Sequence, residues 1–318
     1  MATKNITFGV IGLGPIGSIL AAHLAKSKVD LVVQDAMPNI RLKVKQDGIN
    51  ISGITTLHTK IVKVADSIPE LAKFGAEIVF IVTKACYLKD ILPEIKQTHT
   101  PKMKIVSFQN GLDNERLITE QLGIDTAYRV VINYAGNLAN PGNAVMNWFQ
   151  PPNYVGAFHS GGKYTTDETT RVIAGAMTEA GLKTEESSDI KKHVWEKTIL
   201  NAALCSICGV TGQTMKEAME FEHSRKLAIE ILEEGIKVAK KDGYDFGDDA
   251  LTRFTSYLEK GGAHKPSMLI DIEHKRPTEV DFMSGAIARY GEKYKIPTPV
   301  NSTITELIKT IENRYSKR

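Results

Sequence analysis

Cysteine is scarce in this chain: Cys86, Cys205 and Cys208 are the only three in 318 residues. An odd, sparse set argues against a disulfide framework and agrees with a reducing compartment. Charge of one sign is also missing, since 40 Lys and Arg against 37 Asp and Glu leave a formal net charge of +3. That is far from the clustered positive charge nucleic-acid binding requires, so no polynucleotide partner is implied. Long apolar runs are absent too. The opening MATKNITFGVIGLG holds only a brief apolar stretch that continues into a glycine motif. Neither a signal peptide nor a membrane span fits, and a cytoplasmic protein is expected. No internal repeat, low-complexity tract, nucleophile elbow, P-loop or metal-ligand cluster stands out, so any chemistry must come from individual polar residues.

What remains has the composition of a folded enzyme, with 42% hydrophobic and 24% charged residues. The length suits two domains of about 150 residues each, and two domains suggest a cleft. Thr7 to Ile11, Leu31 to Val33, Ile78 to Val82 and Lys104 to Phe108 are short, uniformly apolar runs separated by helical spacing such as Ile16 to Ala25. Such strands are buried on both faces, which predicts a doubly wound parallel α/β sheet. Between Tyr128 and Gly156, Asn140-Pro141-Gly142 and Pro151-Pro152 read as turns joining antiparallel edge strands that finish this sheet. A helix over Asp167 to Ala180 and a strand near Leu182 to Thr184 close the first domain, residues 1–187. From 188 to 318 the pattern predicts helices alone, over Ile190 to Ile207, His223 to Lys241, Asp248 to Lys260, Glu279 to Lys293 and Thr298 to Asn313.

Gly12-Leu13-Gly14-Pro15-Ile16-Gly17 follows the first strand and opens the first helix. In that context Gly12 permits the tight turn and Gly14 lets the backbone approach a pyrophosphate. Gly17 lets helix and strand pack closely, and the helix N-terminus attracts the anion. The first domain is therefore expected to be Rossmann-like. Asp35, at the end of the second strand, stands where an acid holds the ribose hydroxyls. It would repel a 2′-phosphate, Ala36 offers no arginine to receive one, and Arg41 lies a few residues on. NAD(H) is expected over NADP(H); the alternative is a solvated surface aspartate.

Hydride transfer to a ketone needs a proton donor beside the carbonyl oxygen, a polar environment for the developing alkoxide, and donors for a carboxylate. Lys197, Asn201 and Cys205 recur every four residues, hence on one helix face. Alone, such a lysine is commonly a snorkelling surface residue. Cys205-Ser-Ile-Cys208 also spells C-x-x-C, but it follows an apolar helical run and has no second ligand pair, so packed reduced thiols are the better reading than a redox or zinc site.

The segment His193-Val-Trp-Glu-Lys197-Thr-Ile-Leu-Asn201 resembles the catalytic helix of the ketopantoate reductase family. Other motifs similar to that family appear in order: Gly12 to Gly17, Val82-Thr83-Lys84-Ala85, Gln109-Asn110-Gly111-Leu112, Pro266-Ser267-Met268-Leu269-Ile270-Asp271 and Arg276-Pro277-Thr278-Glu279-Val280-Asp281. By that resemblance Lys197 is the general acid, and Asn201 and Ser267 bind substrate. Glu279 orients groups at cofactor and substrate, and Asn110 meets the nicotinamide side and the substrate. Lys84 sits near the cofactor, and the backbone of Gly136 passes close to the dinucleotide. A lysine in this role should be partly desolvated. Read alone, Glu279 suits a helix start and Ser267 a helix cap or first turn. Cys205 occupies a substrate position where many members carry a second asparagine. Cysteine removes an amide donor and acceptor, which opens the way to a more apolar substrate.

The resemblance implies an oxidoreductase that reduces a small 2-oxo acid to a D-2-hydroxy acid between the two domains, 2-dehydropantoate 2-reductase in the first place. An NAD-dependent D-2-hydroxyacid dehydrogenase for branched or aromatic 2-oxo acids is the near alternative. A homodimer through the helical domain is common among relatives, although no decisive apolar stripe marks one. A non-catalytic dinucleotide sensor would have no need of Lys197 and Glu279, and a 6-phosphogluconate-like dehydrogenase would want a basic cluster that is not found.

Overall fold

The computed structural model describes residues 6–316. The expectation about a leader rests partly on residues 1–5, which lie outside the described residues. The chain forms two compact units: one comprises the residues up to 109 together with 113–190, the other 110–112 together with 191 onward.

The first unit begins with β1 (Thr7–Ile11), α1 (Pro15–Lys26), β2 (Asp30–Gln34), α2 (Pro38–Asp47), β3 (Ile49–Gly53), β4 (Leu57–Thr59), β5 (Lys63–Ala65) and α3 (Ile68–Lys73). It continues through β6 (Ile78–Ile81), α4 (Leu88–Thr98), β7 (Lys104–Ser107), α5 (Asn114–Leu122), β8 (Thr126–Val131), β9 (Tyr134–Asn140), β10 (Asn143–Phe149), β11 (Asn153–His159), β12 (Tyr164–Thr165), α6 (Glu168–Glu179) and β13 (Thr184–Glu186). The main sheet runs β12-β11-β8-β7-β6-β1-β2-β5, with β13 also on β11. From β5 to β8 every pairing is parallel. All four residues of β6, Ile78 to Ile81, are buried, as expected of a strand covered on both faces. The order reverses beside β1, the crossover point at which open α/β sheets bind ligands beyond the strands' carboxyl ends.

One expectation is corrected. Only β8 and β11 of the 128–156 stretch join the main sheet, β8 parallel to β7 and β11 antiparallel to β8. The β9–β10 hairpin leaves it and pairs in parallel with β3, giving a second sheet of order β4-β3-β10-β9. This sheet lies against α1, where Ile19 Cδ1 comes within 2.8 Å of a Cβ placed on Gly136. Its strands β3 and β4 come from a stretch punctuated by Gly48 and Gly53, with polar residues that weaken any apolar pattern.

The second unit contains α7 (Ile190–Thr211, all but its first residue), α8 (Met215–Glu220), α9 (Glu222–Lys241), α10 (Ala250–Glu259), α11 (Ser267–Glu273), α12 (Ser284–Tyr294) and α13 (Pro299–Ser316), and no strand among its described residues. Helix α7 is the longest of its described helices. Residues 202–209 are all buried. A Cβ on Gly235 of α9 would stand 2.9 Å from Ile199, and one on Gly209 would stand 3.2 Å from Ile272 of α11. Ser206 Oγ lies 2.9 Å from Ser284 Oγ of α12. The helix expected over Glu279 to Lys293 is split. Val280–Phe282 form a single 3-10 turn, Met283 leaves helical geometry (φ −111°, ψ −102°), and α12 starts at Ser284.

Candidate active site

In the first unit the glycine motif closes the gap between β1 and α1. Gly12 has φ +98°, a conformation open to glycine at little cost, and a Cβ there would strike Thr83 N at 2.9 Å. A Cβ on Gly17 would stand 1.9 Å from Gly12 O, whereas nothing lies within 4 Å of one on Gly14. The turn is thus packed tightly at both ends and open in the middle. Helix α1 begins at Pro15, has no acidic residue in its first turn, and no side chain among the described residues caps its N-terminal amides. Uncapped N–H groups beside open space at a helix N-terminus suit the diphosphate of a dinucleotide. Leu13 is buried, Pro15 and Ile16 are half-buried, and Ser18 Oγ donates to Leu13 O at 2.9 Å, bracing the turn from below.

Asp35 is 8% exposed, not a solvated surface aspartate. Its Oδ2 accepts from Leu13 N at 2.6 Å and its Oδ1 from Met37 N at 2.8 Å. The carboxylate therefore joins the glycine turn to the start of α2, and since an ionised carboxylate has about four acceptor sites, half of them remain. Arg41 is held beside it: Nη1 donates to the carbonyls of Asp35 (2.7 Å) and Ala36 (3.0 Å), and Nε to Asp66 Oδ1 (3.3 Å). Lys84, half-buried, precedes the short turn Ala85–Tyr87 beyond β6. Gly136 lies on β9, where packing against Ile19 and Val145 O by itself requires a glycine.

In the second unit, Lys197 and Asn201 are half-buried and Cys205 is buried, along one face of α7. Two residues before Lys197, Trp195 is fully buried and its Nε1 donates to Asp242 Oδ2 at 2.9 Å, with Tyr294 OH bonded to the other oxygen. Ser267 is exposed in the first turn of α11 and does not cap it. Glu279 is buried just before the 3-10 turn and its side chain does not cap that turn. The structure brings Asn110 to the same place: Gly111, at φ +88°, presses on Phe282, with Cβ–Phe282 O at 2.5 Å for any side chain there, and Leu112 N donates to Phe282 O at 2.9 Å. Asn110 and Glu279, 169 residues apart in sequence, thus flank one backbone junction.

Cys205 and Cys208 are buried and form no disulfide, and burial pushes the Cys208 thiol up to about 12. A thiol with so little thiolate is a poor nucleophile or metal ligand. Among the described residues no group of three or more His, Cys, Asp or Glu could hold a metal, and no helix is long and apolar enough to cross a membrane.

Sequence reasoning left unassigned a buried polar chain behind the carboxyl edge of the sheet. Arg129 and Glu115 are buried and paired at 3.4 Å, Arg129 Nη1 also donates to Ser107 Oγ at 3.2 Å, and Tyr164 OH donates to Glu115 Oε1 at 2.7 Å. The signal was there: an arginine within the apolar run Thr126–Val131 must find a buried partner.

Two family models match the chain: "Ketopantoate reductase PanE/ApbA" over residues 8–160 and "Ketopantoate reductase PanE/ApbA C terminal" over 189–312. A 2-dehydropantoate 2-reductase of Archaeoglobus fulgidus is 25% identical, with 96% of this chain and 97% of that protein covered. In three dimensions the chain is similar to a PanE/ApbA family ketopantoate reductase from Ralstonia eutropha JMP134 (TM-score 0.87, 20% identity, 98% of this chain and 100% of that one). It is also similar to D-mandelate dehydrogenase in a ternary complex with NADH and anilino(oxo)acetate (TM-score 0.82, 21% identity, 98% and 99% covered). With the motifs in order, the uncapped glycine turn in place and both family models together spanning most of its length, the chain belongs to the ketopantoate reductase family of dinucleotide-dependent oxidoreductases.

Proposed function

We propose that this protein reduces a small 2-oxo acid with NADH, ketopantoate being the first candidate, and that the first unit holds the dinucleotide while the second supplies the proton and the substrate contacts. The observation that carries the reading is the glycine turn, open at Gly14 and leading into an uncapped helix, braced by the carboxylate of Asp35 at the ribose position. The dinucleotide, when bound, supplies the hydride. The residues of this chain do the rest: Lys197 gives a proton to the carbonyl oxygen as it gains charge. Asn201 and Ser267 hold the carboxylate end, Asn110 orients the nicotinamide side, and Glu279 orients its neighbours. Gly12, Gly14, Gly17 and Asp35 hold the dinucleotide, with Lys84 beside it. Asp35 and the absence of a basic residue at Ala36 favour NADH over NADPH, because a 2′-phosphate would meet a carboxylate. A homodimer in the cytoplasm completes the reading.

A second reading has its own support. Cys205 offers the substrate a small, weakly polar surface, and D-mandelate dehydrogenase shares the fold. A D-2-hydroxyacid dehydrogenase for branched or aromatic 2-oxo acids would use the same Lys197. Initial rates of NADH and NADPH oxidation with ketopantoate, phenylglyoxylate and a branched 2-oxo acid separate the two. Fast turnover of ketopantoate alone identifies a biosynthetic reductase, preference for the hydroxyl-free acids identifies the dehydrogenase, and no turnover with any of them overturns both.

A further inference from the structure

The polar chain behind the sheet does not end at Ser107. Gln109 is 5% exposed, and its side-chain amide lies between Ser107 and Thr83: Ser107 Oγ to Gln109 Oε1 is 3.3 Å and Gln109 Nε2 to Thr83 Oγ1 is 3.5 Å. Strands β6 and β7 are adjacent and parallel, Ile81 opposite Ser107, so these bonds tie together the two loops that leave their carboxyl ends. Thr83 in turn is the wall against which the glycine turn closes, its N and Cγ2 standing 2.9 and 3.0 Å from a Cβ on Gly12.

The direction of the chain follows from donor chemistry. A guanidinium can only donate, so Ser107 Oγ accepts from Arg129 and must send its own proton onward to Gln109 Oε1. That fixes the amide with Nε2 toward Thr83, which accepts. The sequence Arg129, Ser107, Gln109, Thr83 thus has one polarity, anchored by the buried Glu115 carboxylate and the Tyr164 hydroxyl. Such a network has a single low-energy arrangement, because reversing any member leaves a buried polar atom unmatched.

We propose that Gln109 is a positioning residue for the dinucleotide site: it holds Thr83 against Gly12, and so keeps the pyrophosphate turn in its binding shape before the cofactor arrives. The proposal rests on the reading that the dinucleotide binds at the glycine turn. It differs from a purely structural role in what it perturbs. Loss of a buttress that preorganises a loop shows in cofactor affinity, whereas loss of ordinary core packing shows only in stability.

The test uses the full chain. NADH affinity is read from quenching of protein fluorescence, with thermal midpoints recorded in parallel, for Gln109→Met, Thr83→Val and the double variant. Both substitutions roughly keep size and break the Gln109–Thr83 bond, and Gln109→Met also removes the acceptor of Ser107 Oγ. Each single variant should weaken NADH binding about tenfold, the worth of one neutral hydrogen bond. The double variant should be no weaker than either single, because the shared bond is lost only once. In the steady state the loss should fall on the NADH KM more than on kcat. Thr83→Val, at a loop position, keeps the test alive if Gln109→Met does not fold. Variants that bind NADH within twofold of wild type, or whose effects multiply in the double variant, overturn the relay. A wild-type protein that shows no NADH quenching removes the cofactor reading and this inference with it.

Discussion

Lys197 carries the sharpest expectation at the scale of single residues. Lys197→Ala should lower kcat by roughly 10² to 10⁴ with NADH affinity little changed, the signature of a lost general acid. Equal turnover by the variant removes Lys197 from the chemistry. Asp35 is expected to show a double effect, because its carboxylate accepts from Leu13 N and Met37 N and, in the proposed function, also faces the ribose. Asp35→Ala should narrow the NADH over NADPH ratio and, by leaving those amides without their acceptor, cost about 1–3 kcal/mol in denaturant unfolding. A variant with unchanged stability and an unchanged cofactor ratio denies it both roles. The sequence indicated the position of this aspartate but not its burial. Which lone pairs a carboxylate has left depends on backbone amides that only the folded turn brings to it.

Whole elements are held by a few polar ties, and each makes its own prediction. Helix α1 is tied to the end of α6 by His23, whose Nδ1 donates to Ala180 O at 2.7 Å, while its buried Nε2 has no hydrogen-bond partner among the described residues. Burial, ahead of the Ala180 bond that opposes it, holds this imidazole below its usual 6.5. The unfolded chain therefore binds the proton first, so this contribution to stability is present above pH 6.5 and is lost as pH falls below it. Urea unfolding at pH 7.5 and 5.5 should show a drop that His23→Gln makes smaller; an identical drop in the variant would falsify the assignment. Helix α7 is fixed in rotation by Trp195 on Asp242. Asp242→Ala should cost about 1–3 kcal/mol by orphaning a buried indole N–H, and Trp195→Phe, which removes the donor as well, should restore part of the loss in the double variant. Additive losses would show that the bond does not hold the helix. Apolar periodicity made β1, β6, β7 and the long helices legible. It missed β3, β4 and β5, whose three to five residues carry too few apolar positions to signal a period, and it could not see the break at Met283, beside which Phe282 O accepts from Leu112 N.

For the molecule as a whole, a ligand bound only by the native state should protect it. NADH at a hundred times its Kd should stabilise the chain by about 2.7 kcal/mol, read as a rise in thermal midpoint that NADPH matches less well. No rise with either nucleotide would contradict the cofactor reading. At this scale the sequence revealed the α/β half, the helical half and the family, because those depend on local patterns and on motifs in order. The second sheet was not legible, since it joins segments far apart in the chain, and for Arg129 the sequence signalled only that a buried partner must exist, not that it is Glu115.

The membership of residues 110–112 in the helical unit bears on how such a gene can be divided. Gly111 and Leu112 make their close backbone contacts with Phe282, yet they are encoded within the sheet-forming half. A crossover after codon 190 therefore separates one half of a fitted pair from the other. A chimaera spliced there from two relatives would join a tripeptide from one parent to a turn from the other, and its success would depend on whether position 111 of the first parent is glycine.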